Sequence, residues 1–242
     1  MDDLCYSIWS ILLLIFAWFI ETGWKWLALS VGPAAMLAGC ATIQQQSIAA
    51  LTLSKSTSLL ALGNSITKYG ENVSCGWTNE GWGLAAPTLE QDYAHLTGKG
   101  LGVPVTAMNV QVEYGLDAVL PTSLPVDTLT DVVIEAGDNA RGYTSPEDFG
   151  IEYGKLIELI GEPHKLVCTS TFWHFVEYDK VIEQVCEQHN GTYVFIGDIY
   201  TSPENTDRET VQFPLCPNVN KHPRQWGHEH IAERIVEALR TE

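Results

Sequence analysis

The chain has 242 residues, of which 45% are hydrophobic, and its 30 acidic and 13 basic residues give a formal net charge of −17. This length and hydrophobic fraction predict one domain with a full core and an N-terminal appendage. Because a strongly acidic chain repels polyanions, nucleic acid is excluded as a partner, and a neutral or cationic substrate is expected.

Residues 1–40 are predicted to form a signal or membrane-anchor segment. Residues 4–20 carry no charge, and about 17 apolar residues lie near the lower limit for a membrane-spanning helix. A second uncharged stretch ends in Leu37-Ala38-Gly39-Cys40, which resembles the lipobox of bacterial lipoproteins and makes Cys40 a predicted lipidation site. The alternative is an uncleaved anchor built from both apolar stretches. Either interpretation tethers the protein to a membrane, facing the periplasm or the cell exterior.

Residues 41–57, rich in Gln, Ser and Thr, predict a linker, and the folded domain is expected over residues 58–242. Within that domain, short apolar runs alternate with stretches that have apolar residues at helical spacing. The runs predict buried parallel strands at 58–62, 105–110, 131–136, 165–169 and 192–196. The other stretches predict helices at about 88–97, 147–160, 177–189 and 227–240. The predicted fold class is α/β, a three-layer α/β/α sandwich with a mainly parallel five-stranded sheet, which binds ligands at the carboxyl ends of its strands.

Six cysteines are too few for a disulfide scaffold, and none has the paired short spacings of a zinc site. We therefore expect no metal and no other cofactor. In an exported domain Cys75 with Cys216, or Cys168 with Cys186, could form a bridge. The alternative is that these cysteines are small buried apolar residues, and the sequence leaves the choice open.

Three sequence motifs fall at predicted strand or helix ends on one edge of the sheet. The first strand leads into Gly63-Asn64-Ser65-Ile66-Thr67, the third into Gly137-Asp138-Asn139, and His222-Pro223 precedes the last helix. A serine nucleophile needs an imidazole that takes its proton and N–H donors that stabilise an oxyanion. These residue types, brought to one edge, point to nucleophilic acyl transfer, whereas the serine alone is typical of a turn.

Together the motifs resemble the SGNH hydrolase family, also called GDSL esterases, over residues 58–240. The resemblance implies that Ser65 is the nucleophile and His222 its base. It also implies an oxyanion hole made by the N–H of Ser65, the side chain of Asn139 and Gly115. The stretch from Gly76 to Leu96 resembles a bacterial branch of the family. Asn64, Trp77 and Trp82 are accordingly expected at the substrate site, although the tryptophans could instead pack under a long loop.

The sequence departs from the family where an aspartate is usual three residues before the histidine, because Val219 stands there. A backbone carbonyl or an amide oxygen is expected to hold the imidazole instead, giving a Ser–His dyad or incomplete triad. Without a carboxylate partner, the pKa of His222 is expected to lie nearer the ordinary value of about 6.5 than it does in a full triad. Val219→Asp is expected to restore the partner if the loop turns that side chain toward the ring. Ala140 is a second departure, since an aspartate often follows the oxyanion asparagine.

The sequence thus predicts an ester hydrolase that removes acyl groups, above all acetyl, from glycans or small carbohydrate esters through an acyl-serine. An O-acyltransferase on glycans and a catalytically silent polysaccharide-binding domain are the alternatives.

The sequence also allows predictions for two residues outside these motifs. His228 is expected to be exposed and, with His230, not to bind a metal. Glu135, inside an apolar strand, is expected to be paired or near the site.

Overall fold

The computed structural model describes residues 55–70, 72–75, 81–205 and 216–241. The predicted anchor, the Cys40 lipidation site, most of the predicted linker and Trp77 lie outside these residues and stay predictions. The compact unit begins at Lys55. None of the helices within the described ranges combines the length and the apolar character needed to cross a membrane.

A five-stranded sheet forms the middle layer, and every neighbouring pair of strands is parallel. The strands are β1 (Ser58–Gly63), β2 (Val105–Asn109), β3 (Thr130–Glu135), β4 (Lys165–Thr169) and β5 (Thr192–Val194). Their order in the sheet is β2-β1-β3-β4-β5. The chain therefore adds β2 on one side of β1 and then adds β3, β4 and β5 on the other side. The predicted sheet is confirmed.

The sheet has a hydrophobic core on each of its two faces. Each strand contributes side chains to both cores, because successive side chains of a strand point to opposite faces. The helices are α1 (Tyr93–Leu101), α2 (Pro146–Ile160), α3 (Val176–Gln188) and α4 (Gln225–Arg240). Leu60 and Leu62 of β1 pack with α2 and α3, whereas Leu59 and Ala61 pack with α1 and α4. The predicted three-layer sandwich is confirmed.

The first helix begins and ends later than predicted. Asp92 caps its N-terminus by accepting a hydrogen bond from the backbone N–H of His95, at 2.8 Å, and Gly102 ends it in the left-handed conformation with φ 74°. Leu89–Gln91 form a short 3-10 turn instead, preceded by Thr88 as its N-cap. The cap side chain and the terminal glycine, rather than the run of apolar residues, therefore set the bounds of α1.

Two disulfides occur in the described residues. Cys75 is bonded to Cys216 across 141 residues, and Cys168 to Cys186 across 18. The second joins β4 to α3 inside the core. The first joins the loop after β1 to the loop that precedes α4, so it links the two segments that carry the serine and histidine of the predicted site.

Candidate active site

The strand register brings the three motifs together. Gly63, at the end of β1, pairs with Asn109 of β2 on one side and with Glu135 of β3 on the other. The residues that follow these strands therefore leave the sheet side by side at its carboxyl edge. This is the edge where parallel α/β sheets bind ligands, beside the strand from which the connections diverge.

Ser65 lies on a tight turn that is closed by backbone hydrogen bonds. The carbonyl of Asn64 accepts from the backbone N–H groups of Thr67 and Lys68, at 3.1 and 2.8 Å. Gly63 leaves no room for a side chain, because an added Cβ would come 2.1 Å from the Glu135 carbonyl. Among the described residues, the Ser65 backbone N–H donates no hydrogen bond. That donor is therefore available for an oxyanion.

His222 lies beside the serine. Its Nε2 is 3.1 Å from Ser65 Oγ, and its Nδ1 is 3.3 Å from the backbone carbonyl of Asn218. A carbonyl only accepts hydrogen bonds, so it fixes the proton on Nδ1 and leaves Nε2 as an acceptor for the serine hydroxyl. A main-chain oxygen thus takes the position that a carboxylate holds in a full triad. The Trp173 ring meets the imidazole at 5.2 Å between centroids, nearly perpendicular.

The environment of His222 weakens it as a base more than the sequence predicted. Burial lowers its pKa to about 4, and the Asn218 carbonyl opposes this shift only in part, while the neighbouring His228 adds to it. The expectation of an ordinary pKa was wrong because it considered the missing carboxylate and not the loss of water around the ring. The imidazole is consequently neutral, and able to accept a proton, across the neutral pH range.

The Val219 side chain packs into an apolar cluster. It is 8% exposed and packs with Leu84 and Ala85, and the Cys75–Cys216 disulfide and Trp82 border the same cluster. The condition for an aspartate at this position to reach His222, a side chain turned toward the ring, is therefore not met. The 3-10 turn over Val219–Lys221 directs the side chain inward and presents the Asn218 carbonyl to the ring instead.

We accordingly expect Val219→Asp to destabilise the protein rather than to improve it. A carboxylate in this cluster would lose water without gaining a partner, lowering the free energy of unfolding by about 2–4 kcal/mol. Thermal or urea unfolding measures the loss. Val119→Asp is the matched control, since Val119 is 72% exposed. Equal stabilities of the two variants would contradict the inward orientation of Val219.

Asn139 follows β3 and is held by a buried carboxylate. Glu113 Oε1 accepts from the backbone N–H groups of Gly137 and Asn139, at 2.7 and 3.1 Å, and its Oε2 accepts from Asn139 Nδ2 at 2.8 Å. Asn64 Nδ2 also donates to Oε2. The second N–H of the Asn139 amide has no acceptor among the described residues, so it is available as an oxyanion donor.

Two further carboxyl groups lie directly behind this edge. Glu135 is buried, as expected for a partnered or site residue, and its Oε2 accepts from the hydroxyl of Thr67 at 3.3 Å. Burial raises the pKa of Glu135 well above its ordinary range and that of Asp138 to about 7, and the charge of Glu113 raises both. Asp138 Oδ1 also accepts from the backbone N–H of Trp173, the residue whose ring contacts His222.

The other predicted site residues take varied positions. Asn64 faces Glu113 and Asn109. Gly115 lies in the 3-10 segment Val112–Asp117, against Thr144, and its role as a third donor stays a prediction. Trp82 donates its Nε1–H to the Ala86 carbonyl at 2.8 Å and packs in the cluster around Val219, which matches the alternative expectation of packing under a loop.

His228 is buried, not exposed as expected. Its Nδ1 accepts from the backbone N–H of Tyr93, and its Nε2 faces the Leu84 carbonyl. Polar backbone groups of α1 and the preceding loop thus take the place of water. No group of three or more His, Cys, Asp or Glu side chains arranged to hold a metal occurs in the described part of the chain.

Sequence reasoning missed Glu113 and Trp173. Both follow strand ends, Glu113 after β2 and Trp173 after β4, so position on the carboxyl edge was the available signal. Glu113 lies in the Asn109–Gly115 segment, whose sequence resembles the SGNH hydrolases poorly. No motif therefore marked this carboxylate as a site residue. The Asn218 carbonyl could not be read from side-chain identity.

No protein-family model matches the chain, and no curated protein matches it either. Several solved structures are similar to it in fold. A two-domain esterase active on acetylated mannans, crystallised with mannopentaose, is 14% identical, with 81% of this chain and 53% of that chain covered and a TM-score of 0.48. A family two carbohydrate esterase from Clostridium thermocellum, in complex with cellohexaose, is 16% identical, with 75% and 62% covered and a TM-score of 0.48.

A member of the lipolytic protein G-D-S-L family from Veillonella parvula is 15% identical, with 77% of this chain and all of that chain covered and a TM-score of 0.45. The match spans about half of the two-domain esterase and about three fifths of the Clostridium thermocellum enzyme.

Proposed function

We propose that this chain is a serine esterase that removes acyl groups, above all acetyl, from carbohydrate or related esters through an acyl-serine intermediate. The observation that carries the proposal is the 3.1 Å contact between Ser65 Oγ and His222 Nε2. It occurs at the sheet edge where Asn139 offers an unpaired amide N–H. Nucleophile, base and oxyanion donor are the three parts that acyl transfer requires.

The geometry supports a two-step reaction. His222 Nε2 accepts the hydroxyl proton of Ser65 while Oγ bonds to the ester carbonyl carbon. The oxygen of the tetrahedral intermediate then carries the negative charge, which the N–H groups of Ser65 and Asn139 stabilise. Collapse breaks the bond to the sugar oxygen, which leaves with the proton from Nε2. Water attacks the acyl-serine and gives a proton to Nε2. The bond between the carbonyl carbon and Oγ then breaks, Nε2 returns the proton to Oγ, and the carboxylic acid is released.

The similar esterases are named for carbohydrate substrates. Two features of this chain support a carbohydrate substrate here as well. The charge of −17 disfavours polyanionic substrates. Tyr143, four residues after Asn139, is 64% exposed and meets the Tyr114 ring edge-on at 4.8 Å. An exposed aromatic face beside the reacting edge suits an uncharged sugar ring.

We propose that the domain acts outside the cytoplasm, tethered to a membrane by its N-terminal segment. The two disulfides support this location, because such bonds persist in oxidising compartments. Fractionation of cells that express the full chain tests the tether. Recovery of the full-length protein wholly in the soluble fraction would exclude it.

Acetate release tests the proposed function. The full-length protein is incubated with acetylated manno-oligosaccharides, with and without a free sugar acceptor, and the products are identified by mass spectrometry. We expect free acetate from wild type and none from Ser65→Ala. Transfer of acetyl to the acceptor in place of release would make the protein an O-acyltransferase. Glycan binding without loss of acetyl would make it a silent binding domain.

The pH dependence of kcat/KM should reflect the lowered pKa of His222. A base acts only when neutral, so kcat/KM should fall as pH drops through about 4 and should have nearly its plateau value at about pH 5.5. A histidine with an ordinary pKa of about 6.5 would already have lost about tenfold at that pH. A tenfold loss at pH 5.5 would contradict a neutral His222 at that pH.

A further inference from the structure

Glu113 is a buried carboxylate at the centre of the proposed oxyanion site. Its side chain is fully buried, and it accepts hydrogen bonds from four N–H groups. The donors are the backbone N–H groups of Gly137 and Asn139 and the side-chain amides of Asn139 and Asn64. One carboxylate thus joins the turn after β1, which holds Ser65, to the turn after β3, which holds Asn139.

The chemistry of these contacts fixes the orientation of the amides. An asparagine amide has an oxygen end that accepts and a nitrogen end that donates, and the two ends exchange places when the group rotates by about 180°. A carboxylate only accepts, so an amide oxygen turned toward Glu113 would place two acceptors together. Asn139 therefore turns its amide nitrogen toward Glu113. One N–H of that nitrogen donates to Glu113 Oε2, and the other makes no hydrogen bond with the described residues.

We propose that Glu113 is a positioning residue of the esterase, which holds the Asn139 amide in the orientation that donates to the oxyanion. The proposal rests on the proposed function. Glu113 acts through Asn139 and does not touch the substrate. The two backbone contacts, to Gly137 and Asn139, fix the position of the turn, and the side-chain contact fixes the amide orientation.

A double-mutant cycle on the full-length protein separates this role from a merely structural one. Glu113→Gln keeps the shape but presents an NH2 group, which lets the Asn139 amide rotate. We expect kcat for an activated acetyl ester to fall about 10- to 100-fold with KM within about threefold of wild type. In the Asn139→Ala background, the same change should cost less than about threefold, because the group through which it acts is gone.

Glu152→Gln is the matched control, since Glu152 is also buried but lies on α2, bonded to Lys155. It should keep the wild-type kcat. If Glu113→Gln does not fold, Glu113→Asp, which retains the charge with a shorter reach, replaces it in the cycle. If neither folds, Glu113 is a structural group and the proposal fails.

Full kcat in a folded Glu113 variant, or equal fold-losses with and without Asn139, would overturn the positioning role. Failure of the proposed function gives a different result. In that case Ser65→Ala would hydrolyse the ester as fast as wild type, and the cycle would have no Ser65-dependent activity to measure.

Discussion

Replacing His222 by alanine should lower kcat for an activated acetyl ester by roughly 10⁴- to 10⁶-fold, the largest effect that we expect from any single substitution. The imidazole is the group within reach of Ser65 Oγ that accepts its proton, with Nε2 at 3.1 Å. Ser65→Ala should cost as much, and the double variant no more than either single one. Steady-state kinetics on the folded variants measure the three losses.

His230→Ala is the control for this prediction. His230 lies on α4, where its ring stacks on Trp226 at 3.8 Å between centroids, and it has no part in the proposed dyad. Its kcat should match that of wild type. A His222→Ala variant that stays folded and loses less than tenfold would show that the 3.1 Å contact has no catalytic role.

Asn139→Ala should have the second largest effect, a fall of about 10²- to 10³-fold in kcat with little change in KM. The unpaired N–H of Asn139 Nδ2 stabilises charge that exists in the transition state and not in the bound ester, so its loss slows the chemical step more than it weakens binding. Measurement of kcat and KM on the same ester separates the two effects.

The control for Asn139 is Asn72→Ala, which removes a loop amide whose oxygen accepts from Ser74 Oγ. It should leave both kinetic constants unchanged. If Asn139→Ala instead raises KM tenfold at constant kcat, Asn139 binds the substrate and does not act on the oxyanion.

Much of the fold could be predicted from the sequence because the local pattern of apolar residues agrees with the tertiary packing. The apolar runs that predicted strands are buried, and β1 alternates between the two cores as a central strand must. The convergence of Ser65 and Asn139 needed no further information, since residues after adjacent parallel strands lie at the same edge. His222 was predicted to lie at the same edge because it directly precedes the last helix, α4.

The remaining features depended on contacts that residue identity does not reveal. The Asn218 carbonyl that holds His222 is a backbone group, so no side-chain motif marks it. Val219 occupied the position of an expected aspartate, but the 3-10 turn directs it into an apolar cluster. His228 looked exposed on a helical pattern, yet its two ring nitrogens satisfy backbone groups in the interior. Tertiary hydrogen bonding decided each of these positions.

Covalent labelling of Ser65 tests the central claim most directly. The full-length protein is treated with a serine-directed fluorophosphonate, digested and mapped by mass spectrometry, beside Ser65→Ala and His222→Ala. We predict one adduct, on the peptide that contains Ser65, formed far more slowly in His222→Ala and absent from Ser65→Ala. A wild-type protein that stays unlabelled, or that is labelled to the same extent after Ser65→Ala, would contradict the assignment of Ser65 as an activated nucleophile.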